Sequence, residues 1–294
     1  NFLVIDIFII TYINKVFLNI IGLFSPNYKN NNVVGTVTKC LSRMEQFIFF
    51  YKSIKLNLKL IKYDISIAHF KDFNNEDLNK LNEMNVNLIK INTETLRACA
   101  LERYIVKTRI KGTHRLLAET DMLFLKEPNF NWDVDFQKMY AGPIEGKNVQ
   151  QIERIFNIRN KYIKNYNIND NPFISYNIKK INKNEIYPHF NNGLTLIKEE
   201  FSKEFYKKGF NFFKKLNKHI CHDLKINHHF ADQVLYGLLL LELTDNWEPF
   251  EPGINFLYFD KIFEKFGREN ISLLHYAGTD GAKLAQQKFP EYFK

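Results

Sequence analysis

Cysteine is scarce in this chain: Cys40, Cys99 and Cys221 are the only three in 294 residues. Thiols that are far apart and odd in number exclude a disulfide framework and a Cys-x-x-Cys zinc knuckle, and they point to a reducing, cytoplasmic setting. The chain also lacks an apolar run that could cross a bilayer. Residues 2–24 (FLVIDIFIITYINKVFLNIIGLF) are its most apolar stretch, but Asp6 and Lys15 interrupt it and Lys29 follows it, so the uncharged runs stop well short of the about 20 residues a span requires. No basic leader with a small-residue cleavage site is visible, so a signal peptide is not expected. No Arg-rich helix and no aromatic ribonucleoprotein pattern occurs, which argues against a nucleic-acid partner. No internal repeat is evident, and one sequon, Asn270-Ile271-Ser272, is what chance provides in an Asn-rich chain.

What is present suits a large α/β domain. Hydrophobic residues make up 45% of the chain, enough for a sizeable core, and 41 Lys and Arg against 32 Asp and Glu give a net charge of +9. Such a surface attracts anions such as phosphorylated small molecules or an acidic membrane face. In residues 2–24 the polar Thr11, Asn14, Lys15, Asn19 and Gly22 gather on one side of a helical wheel. That pattern predicts an amphipathic helix whose apolar face meets the body of the protein, a second copy in a homodimer, or a membrane interface. The polar run Pro26 to Asn32 reads as a linker, so the expected organisation is a helical segment and linker at 1–32 and one domain at 33–294, divided near residue 140.

Within that domain strands and helices alternate. Short strands are expected at Val33–Val37, Tyr63–Phe70, Asn87–Ile91 and Arg115–Ala118, with helices at Leu41–Leu56, Asn75–Asn85 and Leu96–Ile110. Strict alternation implies right-handed crossovers and a mainly parallel sheet, with ligands beyond the carboxyl ends of its strands. Residues 150–183 read as an insertion facing a substrate. A Gly-interrupted strand at 189–197, helices near 198–216 and from Ala231, and a last strand at Ile271–Tyr276 follow.

Four short patterns carry chemistry. Glu119-Thr120-Asp121 sets two carboxylates one residue apart at a strand end. Alternate side chains of an extended chain share a face, and paired buried carboxylates stay ionised only beside a cation. Asn192-Gly193 lies on a later strand, Asp232-Gln233 at a helix start, and His275 precedes Gly278 by three. A cluster of His219, Cys221, His222, Asp223, His228 and His229 lacks the spacing of a zinc site and reads as a solvated segment or an acceptor-binding loop.

In this order, the four patterns resemble the D-x-D, N-x-G, D-Q and H-x-x-G-x-x-K motifs of retaining nucleotide-sugar glycosyltransferases similar to glycosyltransferase family 8 and the glycogenins. The resemblance covers residues 33 to about 285. It implies a GT-A (Rossmann-like) fold: a single α/β domain with a mainly parallel sheet flanked by helices, here preceded by the N-terminal helical segment. It further implies a hexose moved from a nucleotide-sugar donor such as a UDP-sugar to a glycan, lipid or protein acceptor, with Mn²⁺ or Mg²⁺ as cofactor. Asp121, His275 and Glu119 would hold the metal, although Glu119 stands where the family has Asp. Arg103 and Lys107 would meet the diphosphate from one helix face, Thr36 and Thr38 would lie under the nucleoside, and Asn192 and Gly193 would face the sugar. Asp232 and Gln233 would flank the anomeric carbon. Gly278 would approach the phosphates, whereas the family's Lys is replaced by Gly281, so Lys283 reaches them only if residues 279–282 bulge. The substitutions at 119 and 281 leave a second reading, a catalytically silent domain that binds sugar nucleotides or glycans.

Overall fold

The run FLNIIGLF at Phe17–Phe24 is a β-strand, β1, at the centre of the main sheet of the computed structural model. The structure describes residues 17–24, 43–93, 100–143, 188–215, 239–240, 243–251, 253–257, 266–276 and 278–294. Ile20 and Ile21 are adjacent and both fully buried. Neighbouring strand residues project to opposite faces, so this strand is covered on both sides, as parallel strands are. Here the helix expected over residues 2–24 is corrected: its described part is strand. A short apolar run has no period that separates a buried strand from a buried helix. Long-range pairing decides, with Phe17–Phe24 parallel to Lys62–His69 on one side and Leu18–Leu23 parallel to His114–Glu119 on the other. The sheet therefore begins ahead of residue 33, where the domain was expected to start, and Leu18, Ile20 and Ile21 face the core rather than a membrane or a second subunit. Residues 1–16, the expected linker, the expected strand at 33–37 and the segments 144–187 and 216–238 lie outside the described residues.

The other elements follow the alternation. Helix α1 is Arg43–Asn57, β2 Lys62–His69, α2 Asn75–Glu83, β3 Asn87–Lys90 and β4 His114–Glu119. Next come β5 at Met122–Phe124, β6 at Phe136–Pro143, β7 at Pro188–Lys198, α3 at Glu199–Lys215 and β8 at Trp247–Pro249. The main sheet has the order β3-β2-β1-β4-β7-β6-β8. Only β7 runs against its neighbours, pairing antiparallel with β4 and β6. Phe47, Phe50 and Ile54 of α1 pack with Leu18, Ile20, Ile65, Ile67 and Leu116 in one buried cluster, each such side chain contributing about 1.5–3 kcal/mol by leaving water. α2 opens where sequence reasoning put it, because the Asn74 side chain accepts the Asp77 N–H and Glu76 and Asp77 occupy the first turn.

The helix expected over 96–110 is shorter. Its described part ends at Glu102 and gives way to turns, with Tyr104 N–H on Leu101 O and Val106 N–H on Glu102 O. The carbonyls of Arg103 and Val106, which a continuing helix would use, accept instead from Nη1 of Arg115 at 3.0 Å each. Lys107 is consequently exposed and off the helix, while Arg103 is buried, so the two share no helix face.

A second, three-stranded sheet has the order β5-β10-β9, with β9 at Phe256–Leu257 and β10 at Leu273–His275. Leu123, Phe256, Leu274, Tyr276, Ala285 and Phe289 form its own core. Helix α4, Gly278–Lys288, covers the stretch where a bulging loop at 279–282 was required to carry Lys283 to a phosphate. Gly281 is needed there because a Cβ would lie 2.8 Å from the Tyr276 carbonyl carbon. No helix among the described residues is long and apolar enough to cross a membrane.

Candidate metal centre

β4 ends at Glu119, and a bend through Thr120 and Asp121 leads into β5. The two carboxylates therefore converge across a bend rather than along one extended strand. β5 pairs antiparallel with β10, setting Met122 opposite His275, and the Tyr276 N–H donates to the Asp121 carbonyl at 3.0 Å. This pairing delivers His275 to the carboxylates from the far end of the chain. Ligand atoms of Glu119, Asp121 and His275 all lie within 4.8 Å of one another.

His275 Nε2 is 3.5 Å from Glu119 Oε2 and 3.5 Å from Asp121 Oδ1. That is too long for a good hydrogen bond, and Nε2 is buried without a hydrogen-bond partner. Neighbouring donor atoms bound at about 2.1–2.2 Å to one octahedral ion lie about 3.0 Å apart, so these 3.5 Å separations need close by only about 0.5 Å to seat one. The residues present thus fit an ion held by two carboxylate oxygens and an imidazole nitrogen, a donor set that suits Mn²⁺ with Mg²⁺ as substitute. The Asp121 and His275 side chains are 12% and 4% exposed and the Glu119 side chain 43%, so the centre opens on the Glu119 side. Burial works to lower the His275 pKa, but the Asp121 and Glu119 carboxylates outweigh it and push the value up to about 10. In the metal-free protein the ring is a cation filling the place of one.

Several supports hold this corner. Arg103 is buried and donates from Nη1 to the Ala118 carbonyl at 2.9 Å, one residue before Glu119. Its Nε reaches Ala100 O at 3.3 Å. Arg115, 2% exposed, forms a two-pronged pair with Glu199 at the start of α3, at 2.5 and 2.7 Å. Gly193 lies beneath the imidazole: a Cβ there would come within 2.5 Å of His275 Cε1 and 2.8 Å of Nδ1. The Gly-interrupted strand predicted a close approach, and the approaching group is His275 itself. Asn192 accepts from the fully buried Lys138 at 2.5 Å.

Two residues that sequence reasoning passed over complete the centre. Asn255, fully buried with φ of 58°, meets His275 Nδ1 at 3.0 Å through Oδ1 and donates from Nδ2 to Asn191 Oδ1 at 3.1 Å. Asn191 Oδ1 also accepts the Gly193 N–H at 2.8 Å. The local signal was Asn255 between Gly253-Ile254 and a short strand, a place where Asn tolerates the left-handed region. Thr36, Thr38, Asp232, Gln233 and the 219–229 His/Cys cluster lie outside the described residues. Gly278 opens α4, and Lys283 sits partly exposed on that helix.

The mainly parallel seven-stranded sheet flanked by helices is that of the GT-A fold. The galactosyltransferase LgtC, solved with donor and acceptor sugar analogues, aligns with a TM-score of 0.50 at 12% identity over 94% of this chain and 95% of its own. A structure of an active-site mutant of LgtC aligns with a TM-score of 0.52 at 12% identity over 93% of this chain and 94% of its own. No family model matches the sequence, and no curated protein matches it.

Proposed function

We propose that this protein is a metal-dependent glycosyltransferase that moves a hexose from a nucleotide sugar, a UDP-sugar by resemblance, to a glycan, lipid or protein acceptor with retention of configuration. The observation that carries the reading is the convergence of Glu119, Asp121 and His275 beside the carboxyl end of β4, where an open α/β sheet binds its ligands. An ion bound there would supply Lewis-acid charge opposite the departing nucleoside diphosphate. Asp121 and His275 would hold it from the buried side, and Glu119 from the side open to the donor. Arg103 would brace β4 through Ala118 O. By resemblance, Arg103 would also meet the diphosphate. Asp232 and Gln233 would flank the anomeric carbon. The bond from that carbon to the phosphate oxygen breaks as the bond to the acceptor oxygen forms on the same face, and the departing phosphate takes the acceptor proton while Gln233 stabilises the oxocarbenium-like centre.

The test is turnover of a panel of sugar nucleotides, with and without Mn²⁺, by the full chain and by Asp121→Ala. The expected result is metal-dependent hydrolysis or transfer that Asp121→Ala reduces by at least about a hundredfold. Undiminished activity in that variant sinks the metal assignment. Binding of a nucleotide sugar with no turnover of any donor favours the silent-domain reading, to which the helical setting of Lys283 lends support.

A further inference from the structure

The hydrogen-bond polarity around His275 can be worked out from a single unambiguous group, the backbone N–H of Gly193. A backbone amide only donates, so the Asn191 atom that meets it at 2.8 Å is the carbonyl oxygen. That same oxygen is 3.1 Å from Asn255, so the Asn255 atom facing it is the amino group. The other end of the Asn255 amide is then an oxygen, which only accepts, and it faces His275 Nδ1 at 3.0 Å. His275 therefore carries a proton on Nδ1, and its lone pair, when the ring is neutral, is on Nε2, the atom facing both carboxylates.

We propose that Asn255, set by Asn191 and ultimately by the Gly193 N–H, is a positioning residue that fixes the tautomer and orientation of His275 for metal binding through Nε2. The inference rests on the metal reading above. The site is built for it: Asn255 is fully buried, and both ends of its side-chain amide are engaged, one by His275 and the other by Asn191. The apolar alternatives at this position would pack but would leave Nδ1–H unsatisfied beside a buried ring. Groups that accept from the distal nitrogen of a metal-bound histidine raise its basicity and hold its plane, and losing one weakens metal binding by about 10–100-fold.

The experiment is titration of the full-length chain with Mn²⁺ alone at one fixed pH, read from the spin-resonance signal of free Mn²⁺, with circular dichroism to confirm folding. Asn255→Gly keeps the left-handed backbone and removes the acceptor; Asn255→Asp keeps an acceptor for Nδ1–H. Wild-type protein is expected to bind one Mn²⁺, Asn255→Gly about 10–100-fold more weakly, and Asn255→Asp more tightly than Asn255→Gly by several-fold or more. Wild-type affinity in Asn255→Gly, or Asn255→Asp binding no better than Asn255→Gly, overturns the proposal while the metal reading stands. Should Asn255→Gly fail to fold, Asn255→Asp decides alone: binding as weak as in His275→Ala overturns it. Wild-type protein that binds no Mn²⁺ overturns the metal reading and this inference with it.

Discussion

Adding one methyl group at Gly193 should disable the centre without touching a ligand. No positive φ accompanies Gly193, so alanine is conformationally allowed there and the effect is steric. The new Cβ would sit 2.5 Å from His275 Cε1, 2.8 Å from Nδ1 and 2.8 Å from Asn191 Oδ1. Carbon atoms in contact are about 3.5–4.0 Å apart, so the ring must retreat by about 1 Å. Overpacking of this kind costs about 1–3 kcal/mol of stability. Metal bonds tolerate displacements of only about 0.2 Å, so the shift removes the imidazole as a ligand. Gly193→Ala is thus expected to fold, to lose a few degrees in Tm, and to bind Mn²⁺ at least about 10–100-fold more weakly, with a parallel loss of turnover. Calorimetric titration with Mn²⁺ and a thermal melt measure the two effects. Wild-type Mn²⁺ affinity in Gly193→Ala would refute the placement of His275 over this strand.

Three further expectations concern charge. The His275 pKa is raised from 6.5 to about 10, so in the metal-free protein its contribution to stability is fully present below about pH 6.5 and is lost as the pH rises through about 10. Mn²⁺ must displace the Nε2 proton, so its affinity should climb between about pH 6.5 and 9, by up to about tenfold per pH unit, and a flat profile in titration would contradict the assignment. Arg115→Met takes from the half-buried Glu199 its close partner, leaving it Lys203 at 3.7 Å, and strips the Arg103 and Val106 carbonyls of a donor, so it should destabilise by about 3 kcal/mol and lower Tm by roughly 10 °C, with Arg115→Met/Glu199→Gln recovering part of the loss. Equal melting of wild type and Arg115→Met would show that the pair contributes nothing.

Local signals made much of this molecule legible. The acidic opening at Glu76 and Asp77 placed α2, the alternating run Tyr63 to Phe70 placed β2, and the Gly-interrupted run 189–197 placed β7. The residues of the centre were legible as residue types in a fixed order. β1 was not, because Phe17–Phe24 is apolar on both faces and acquires its identity only from β2 and β4 beside it. The early end of the helix at Glu102 is likewise set from outside, by the Arg115 guanidinium reaching back to two carbonyls. Asn255 and Asn191 are ordinary in sequence and meaningful only because the turn before β9 is brought against β7 and β10.

The small sheet is assembled from very short strands, with β5 and β10 contributing three residues each and β9 two. Its members come from the middle and the end of the chain, and few backbone bonds join them. An ion bonded to both Asp121 and His275 would close a loop longer than a hundred residues, and a cross-link of that reach can restrict the unfolded chain by about 4–5 kcal/mol. With only three scattered cysteines in the sequence, an ion bound at this centre would serve as the staple of the C-terminal sheet. Starving the protein of metal would then loosen the architecture as well as silence the chemistry, coupling the lifetime of the folded molecule to the supply of its ion.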